Sequence, residues 1–172
     1  KIIKSYGIET YKLKKNNYIN TFFKKMLNKK LNSTFLFSSV VPDVYKNISF
    51  FLKKKRFNVK EIKDLEIKSL ISIKIDNFHQ LGSDRIANSI GSFNKYKKNC
   101  LVIDFGTATT FDIIKSPGIY VGGVIAPGVK LSIINLNKNT SMLPIIELKS
   151  KSKVYGKNTK DALNAGFLWG YQ

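Results

Sequence analysis

The sequence predicts an α/β protein, and three observations predict it. Residues 33–59 read strand, helix, strand: an apolar run at Ser33–Phe37, a helical stripe from Pro42 to about Arg56, and a second short run at Phe57–Val59. Residues 101–128, LVIDFGTATTFDIIKSPGIYVGGVIAPG, hold three short apolar stretches split by two tight turns. Helix-forming segments alternate with these runs, and that order favours helices layered on a sheet.

The elements follow in chain order. Lys1–Leu13 alternates loosely, so one or two edge strands are expected there. Ile19, Phe22, Phe23, Met26, Leu27 and Leu31 fall at helical spacing. Ser33–Phe37 reads as a short buried strand and ends at Ser38-Ser39-Val40-Val41-Pro42. Pro42 suits the first turn of a helix, where its missing N–H costs nothing. Val44, Tyr45, Ile48, Phe51 and Leu52 form that helix's inner face. Phe57–Val59 and Leu70–Ile75 read as extended segments joined by lysine-rich connections. Leu81-Gly82-Ser83-Asp84-Arg85 precedes Ile86, Ala87 and Ile90, so Asp84 and Arg85 lie at a helix N-terminus. Asn94–Asn99 is polar and basic, and a boundary there divides a first domain, 1–97, from a second, 98–172. Leu101–Ile103 reads as a buried strand, and Phe111–Ile114 and Ile119–Ala126 complete two consecutive hairpins. Val129–Leu136 is helical, and Gly156-Lys157-Asn158-Thr159 caps a final helix whose Ala162, Ala165, Gly166 and Gly170 suit close packing.

Composition narrows the function classes. With 43% hydrophobic residues the chain can bury a core. No apolar run approaches the ~18 residues of a membrane span. Cys100 is the only cysteine, which rules out an internal disulfide and suits a reducing, cytoplasmic setting. The charge is +19, from 30 basic and 11 acidic residues, which raises a nucleic-acid reading. Only Arg56 and Arg85 of those 30 are arginine, and the excess runs through both halves. Specific nucleic-acid modules concentrate charge, arginine and stacking aromatics. A diffuse lysine surface therefore argues against specific nucleic-acid binding. The chain does not begin with Met and ends on an unbroken helical pattern, so a piece of a longer protein is expected.

Two stretches carry chemistry. Asp84 reads either as a helix N-cap or as a general base held at an anion-favouring helix start. Arg85 stands where lysine is the chain's habit, which points to a need for a planar, bidentate cation. Asp104, Gly106 and Thr107 form a tight acidic, glycine and hydroxyl turn. It either caps itself through side-chain bonds or cradles a phosphate and a cation. On the residues alone both readings of each stretch stand. The segment ending in GKNT is no phosphate-binding P-loop, because Lys151 and Asn158 occupy the positions of its first glycine and its hydroxyl.

Taken in order, LGSDRIANSI, LVIDFGTATTFDII, YVGGVIAPG and GKNTKDALNAGFLWGY closely resemble type III pantothenate kinase, and the likeness extends back to FLFSSVVPDV. The resemblance implies two ribonuclease-H-like domains of the actin and sugar-kinase type, both incomplete in this stretch. It implies ATP-dependent phosphorylation of pantothenate, the first step toward coenzyme A, by a cytoplasmic homodimer that uses Mg²⁺ and a monovalent cation, K⁺ or NH₄⁺. By the same resemblance Asp84 is the proton acceptor, and Gly82, Ser83, Asp84 and Arg85 line the pantothenate site. Asp104 holds the monovalent cation, Gly106 and Thr107 contact ATP, and Thr159 contacts pantothenate near the dimer interface. Three departures stand out. The family's N-terminal Asp-x-Gly-Asn loop is absent, Ile75 replaces a tyrosine before Asp76-Asn77, and the close of the second domain is missing. A catalytically silent regulatory relative of the same fold is the alternative. This segment made alone is expected to have little kinase activity.

Overall fold

Apolar spacing and helix-start chemistry set the first layer. In order, α1 spans Asn16–Met26, β1 Thr34–Phe37, α2 Pro42–Lys54 and β2 Asn58–Glu61. The computed structural model describes residues 4–27 and 33–171, the side chains of residues 25 and 26 excepted. Pro42 opens α2, and Val44, Ile48 and Leu52 are buried along one face. These three pack with Ile19 and Phe23 of α1 into the main cluster, which Phe35, Phe37, Phe57 and Val59 flank. β1 and β2 pair in parallel, from Thr34↔Asn58 to Phe37↔Glu61.

The chain divides into two compact units, Lys1–Lys98 with Lys115–Val121, and Asn99–Ile114 with Gly122–Gln172. In the first unit, α3 (Ile67–Leu70) leads to β3 (Ser72–Ile73), and α4 spans Ser83–Tyr96. β3 pairs in parallel with the start of β6 (Ile119–Pro127), Ser72 against Ile119 and Ile73 against Tyr120. Ser72 N donates to Gly118 O at 2.8 Å and Lys74 N to Tyr120 O at 2.9 Å, which lengthens the ladder at both ends. Gly118 has φ +104°, and a Cβ there would stand 2.7 Å from the Phe93 ring of α4. Only glycine satisfies both the turn and that approach.

In the second unit, β4 (Cys100–Phe105) pairs antiparallel with β5 (Ala108–Lys115), from Cys100↔Ile114 to Phe105↔Thr109. β6 is the neighbour of β5 on its other side. Two helices, α5 (Val129–Lys138) and α6 (Thr159–Gly170), complete the unit. Tyr171 joins them to the sheet, its hydroxyl donating to Pro127 O at 3.0 Å and lying 2.7 Å from Ser132 Oγ.

Five expectations are corrected. Residues 4–13 form no strand; Lys12–Lys14 is a 3-10 turn closed by local carbonyls, Lys12 N donating to Glu9 O and Lys15 N to Lys12 O. β1 is half-exposed rather than buried, because alternate side chains face away from the α1–α2 core and leave Leu36 56% exposed. β4 buries only one face for the same reason. Cys100, Val102 and Asp104 are half-buried, while Leu101 and Ile103 are exposed. In α6, Ala165 is buried but Gly166 and Gly170 have nothing within 4 Å of a built Cβ, so they take no part in close packing among the described residues. The region expected to be extended from Leu70 begins as helix α3 and is strand only at Ser72–Ile73. The expected apolar position Leu31 lies outside the described residues.

Candidate active site

The first group of candidate residues stands at the start of α4. Gly82 is the N-cap, with φ −61° and ψ 141°, and contributes no side-chain bond. The bland alternative for Asp84, an N-cap, is therefore corrected; Asp84 lies inside the first turn. Its carboxylate folds back over the helix start, where Oδ1 accepts from Arg85 N at 2.8 Å. A negative charge there is favoured by the helix dipole. A Cβ built on Gly82 would fall on that same Oδ1 and stand 3.5 Å from Val40 Cγ1. The missing side chain of Gly82 is what lets the carboxylate take its place. Ser83 is buried, and Ser89 Oγ donates to Arg85 O at 2.7 Å, which ties the first two turns together. Arg85 is half-buried, and its guanidinium carbon lies 6.0 Å from the centre of the Tyr120 ring. His79 is exposed on a short 3-10 turn, its N–H donating to Asn77 Oδ1 at 3.0 Å.

The second group surrounds the β4–β5 turn. Gly106 and Thr107 are exposed at its tip. Gly106 N donates to Ala108 O at 2.9 Å, so this amide closes the turn instead of pointing outward. Gly128 is buried, and its N–H donates to Thr107 O at 3.0 Å. A Cβ on Gly128 would fall on Gly106 O and Thr107 O and stand 2.8 Å from the Thr107 carbonyl carbon. The start of α5 is thereby seated directly on the turn. A Cβ on Gly106, by contrast, would meet only Ala108 O, at an ordinary 3.5 Å. Among the described residues no contact requires glycine at 106.

Asp104 is half-buried on β4, opposite Thr110. Asp112 is fully buried, opposite Val102, and Thr110 Oγ1 donates to its Oδ2 at 3.5 Å. By strand alternation Asp104, Thr110 and Asp112 share one face of the ladder. Carboxylate and hydroxyl oxygens are hard donors, which suit K⁺ or Mg²⁺ better than a soft metal. Among the described residues no three His, Cys, Asp or Glu side chains gather as a metal cluster. A divalent ion at this turn would take the rest of its shell from water or a bound ligand. Thr109 is 1% exposed, and among the described residues its buried Oγ1 has no hydrogen-bond partner.

Thr159 is exposed at the start of α6. The cap before it is complete: Asn158 Oδ1 accepts from Asp161 N at 2.9 Å, and Asn158 Nδ2 donates to Asp161 Oδ2 at 2.8 Å. The structure brings Gly82, Ser83, Asp84 and Arg85 into one group in the first unit. It brings Asp104, Gly106 and Thr107 into another in the second, with Gly128 beneath. Sequence reasoning did not single out Tyr120 or Asp112, each of which sits in an apolar run where a polar atom among β-formers was the available signal; Thr109 was read as part of the hydroxyl-rich turn that begins at Asp104.

Comparison with known proteins bears on both groups. The sequence model of the family described as "Type III pantothenate kinase" matches residues 1–172. A type III pantothenate kinase of Pelagibacter ubique is 47% identical over 146 residues, covering 84% of this chain and 57% of that protein. One from Koribacter versatilis is 45% identical over 105 residues, covering 61% of this chain and 38% of that protein. One from Syntrophus aciditrophicus is 36% identical over 170 residues, covering 98% of this chain and 63% of that protein. The chain thus spans about half the length of the curated relatives it matches. A Campylobacter jejuni crystal structure, described as a conserved Baf family transcriptional activator, aligns with a TM-score of 0.50 at 20% identity. It covers 89% of this chain and 65% of that one, a likeness of fold alone.

Proposed function

Because the chain belongs to the type III pantothenate kinase family, we propose that the whole protein transfers the γ-phosphoryl group of ATP to the hydroxyl of pantothenate, giving 4′-phosphopantothenate, the first step of coenzyme A synthesis. The observation that carries the reading is the Asp84 carboxylate. It is held over the start of α4 by Arg85 N–H, in space that Gly82 leaves open. Phosphoryl transfer asks for positioning and charge neutralisation more than for covalent chemistry. Asp84 accepts the proton of the attacking hydroxyl, a role that needs a carboxylate fixed in place but not fully buried. Gly82, Ser83 and Arg85 line the pantothenate site, and the Arg85 fork takes an anionic group of the substrate. Thr159 is a further pantothenate contact.

Gly106 and Thr107 receive the ATP phosphates, Gly106 by leaving space and Thr107 by its polar atoms. Asp104 holds a monovalent cation, K⁺ or NH₄⁺, and Mg²⁺ travels with the nucleotide. Bound there, the cations neutralise charge on the phosphates during transfer. Two ribonuclease-H-like domains, a homodimer and a cytoplasmic location complete the proposal; among the described residues no helix is long and apolar enough to cross a membrane.

The test is an assay of the whole protein with ATP, Mg²⁺, K⁺ and pantothenate, beside Asp84→Asn. Loss of a general base lowers kcat by roughly 10²–10⁴-fold. Activity unchanged in Asp84→Asn would remove Asp84 from the role.

A further inference from the structure

We propose that the groove between the C-terminal ends of α1 and α2 is a binding site for a small anionic amphiphile, a carboxylate carried on an apolar tail. An open cavity of about 700 Å³ lies there, within the first unit. Its apolar lining is Leu27, Phe51 and Phe57. All three pack on the α1–α2 core cluster and keep part of their surface uncovered. These walls are held from behind. The Phe51 ring lies against Phe23, 5.9 Å between centres, and the Phe57 ring meets Phe35 edge-on at 5.2 Å. The end of α2 brings Phe57 back toward the helix. Arg56 adopts φ 65°, Arg56 N donates to Lys53 O at 2.9 Å, and Phe57 N donates to Leu52 O at 3.1 Å.

Charge decides the occupant. Lys24 of α1 and Lys55 at the end of α2 line the cavity, no carboxylate does, and its other residues, Asn20 and Thr21, are uncharged. The Lys55 ammonium stands 5.3 Å from the centre of the Phe51 ring, so a positive charge sits beside the apolar wall. Among the described residues neither lysine has an ion-pair partner. Small-ligand sites are commonly cavities of roughly 300–1,000 Å³ with apolar walls and a few polar groups. A tail against Leu27, Phe51 and Phe57 with an anionic head on the two ammoniums uses both halves of this lining. A neutral tail would leave two like charges at one cavity, and a cation would add a third. Phe57 immediately precedes β2, so the cavity lies at the amino end of that strand. Val40, 3.5 Å from a Cβ built on Gly82, follows the carboxyl end of β1. The four residues of each strand span roughly 13 Å between those ends, so the cavity is separate from the Asp84 group.

The experiment titrates the whole protein by calorimetry with octanoate, beside acetate, which is the head without the tail, and octanol, which is the tail without the head. Octanoate is expected to bind at one site with a dissociation constant of roughly 0.1–1 mM, about tenfold or more tighter than either control. Lys24→Gln with Lys55→Gln is expected to weaken octanoate about tenfold or more. Lys46→Gln with Lys60→Gln removes the same charge outside the cavity and is expected to stay within about twofold. All four lysines are exposed, so both double variants are expected to fold. No octanoate binding, or octanol binding equally well, would overturn the proposal. Equal weakening in both double variants would overturn it too, by showing a general attraction to the +19 chain. Unchanged affinity without Lys24 and Lys55 would mean that their stems only cover apolar surface. Binding is read without turnover, so its outcome stands apart from the kinase reading.

Discussion

Replacing Gly128 by alanine should damage both the fold and nucleotide binding, and Gly106→Ala provides the contrast. Gly128 has φ −69° and ψ 148°, angles that any residue adopts, so alanine is excluded only by space. Its Cβ would stand 2.8 Å from the Thr107 carbonyl carbon, against about 3.5 Å for a relaxed carbon contact, and closer still to two carbonyl oxygens. Those atoms are backbone, so relief requires parting the α5 start from the turn by roughly 0.7 Å or more. That movement stretches or breaks the bond from Gly128 N to Thr107 O, now 3.0 Å. Losing the bond costs about 1 kcal/mol, and overpacking a further 1–3 kcal/mol, so the total is about 2–4 kcal/mol. For a chain of this size the melting temperature should fall by roughly 5–15 °C. A turn distorted by even half of that energy should raise the KM for ATP about tenfold. Gly106→Ala meets no backbone within the chain closer than 3.5 Å. It should leave the melting temperature unchanged, or slightly higher through the stiffer unfolded chain, while still raising the KM for ATP. Thermal melts and ATP titrations of the two variants decide the matter. A Gly128→Ala protein that melts and binds like the parent would refute the seating of α5 on the turn. A normal KM for ATP in Gly106→Ala would refute the phosphate role of the tip.

Two further outcomes follow from single atoms. Gly82→Ala pushes the Asp84 carboxylate off its place, so kcat should drop at least tenfold while the melting temperature moves by less than about 1 kcal/mol equivalent, because the clash falls on a side chain that can swing away; a parent-like kcat would show that the carboxylate acts from elsewhere. Thr109→Val removes a buried hydroxyl that has no partner among the described residues, and should stabilise the protein by about 1 kcal/mol in chemical denaturation. Destabilisation of that size would mean the hydroxyl is satisfied after all.

Local signals were legible in the sequence where they are written into neighbouring residues. Pro42 and the stripe Val44, Ile48, Leu52 marked α2, and Asn158 marked the start of α6, because a helix is specified within a few turns. The tight turn at Gly106–Thr107 was legible for the same reason. What escaped depends on partners far along the chain. Leu36, Leu101 and Ile103 read as buried because they are apolar, yet burial of a strand face is decided by what lies over it. Tyr120 could not be tied to Arg85 without the β3–β6 pairing. Asp84 was open to an N-cap reading because the glycine two places before it carries no capping atom to announce itself.

The parallel pairing of β3 with β6 also bears on how the protein is made. Ser72 and Ile73 are laid down well before Ile119 and Tyr120, and the hairpin strands β4 and β5 lie between them. A nascent chain halted at Lys98 has already been given α4 with its Asp84 and Arg85, but not the segment Lys115–Val121 that belongs to the same unit. The first unit therefore closes only after part of the second has left the ribosome. Such a distant pairing is slow to form. Until it does, Arg85 stands apart from the strand that carries Tyr120.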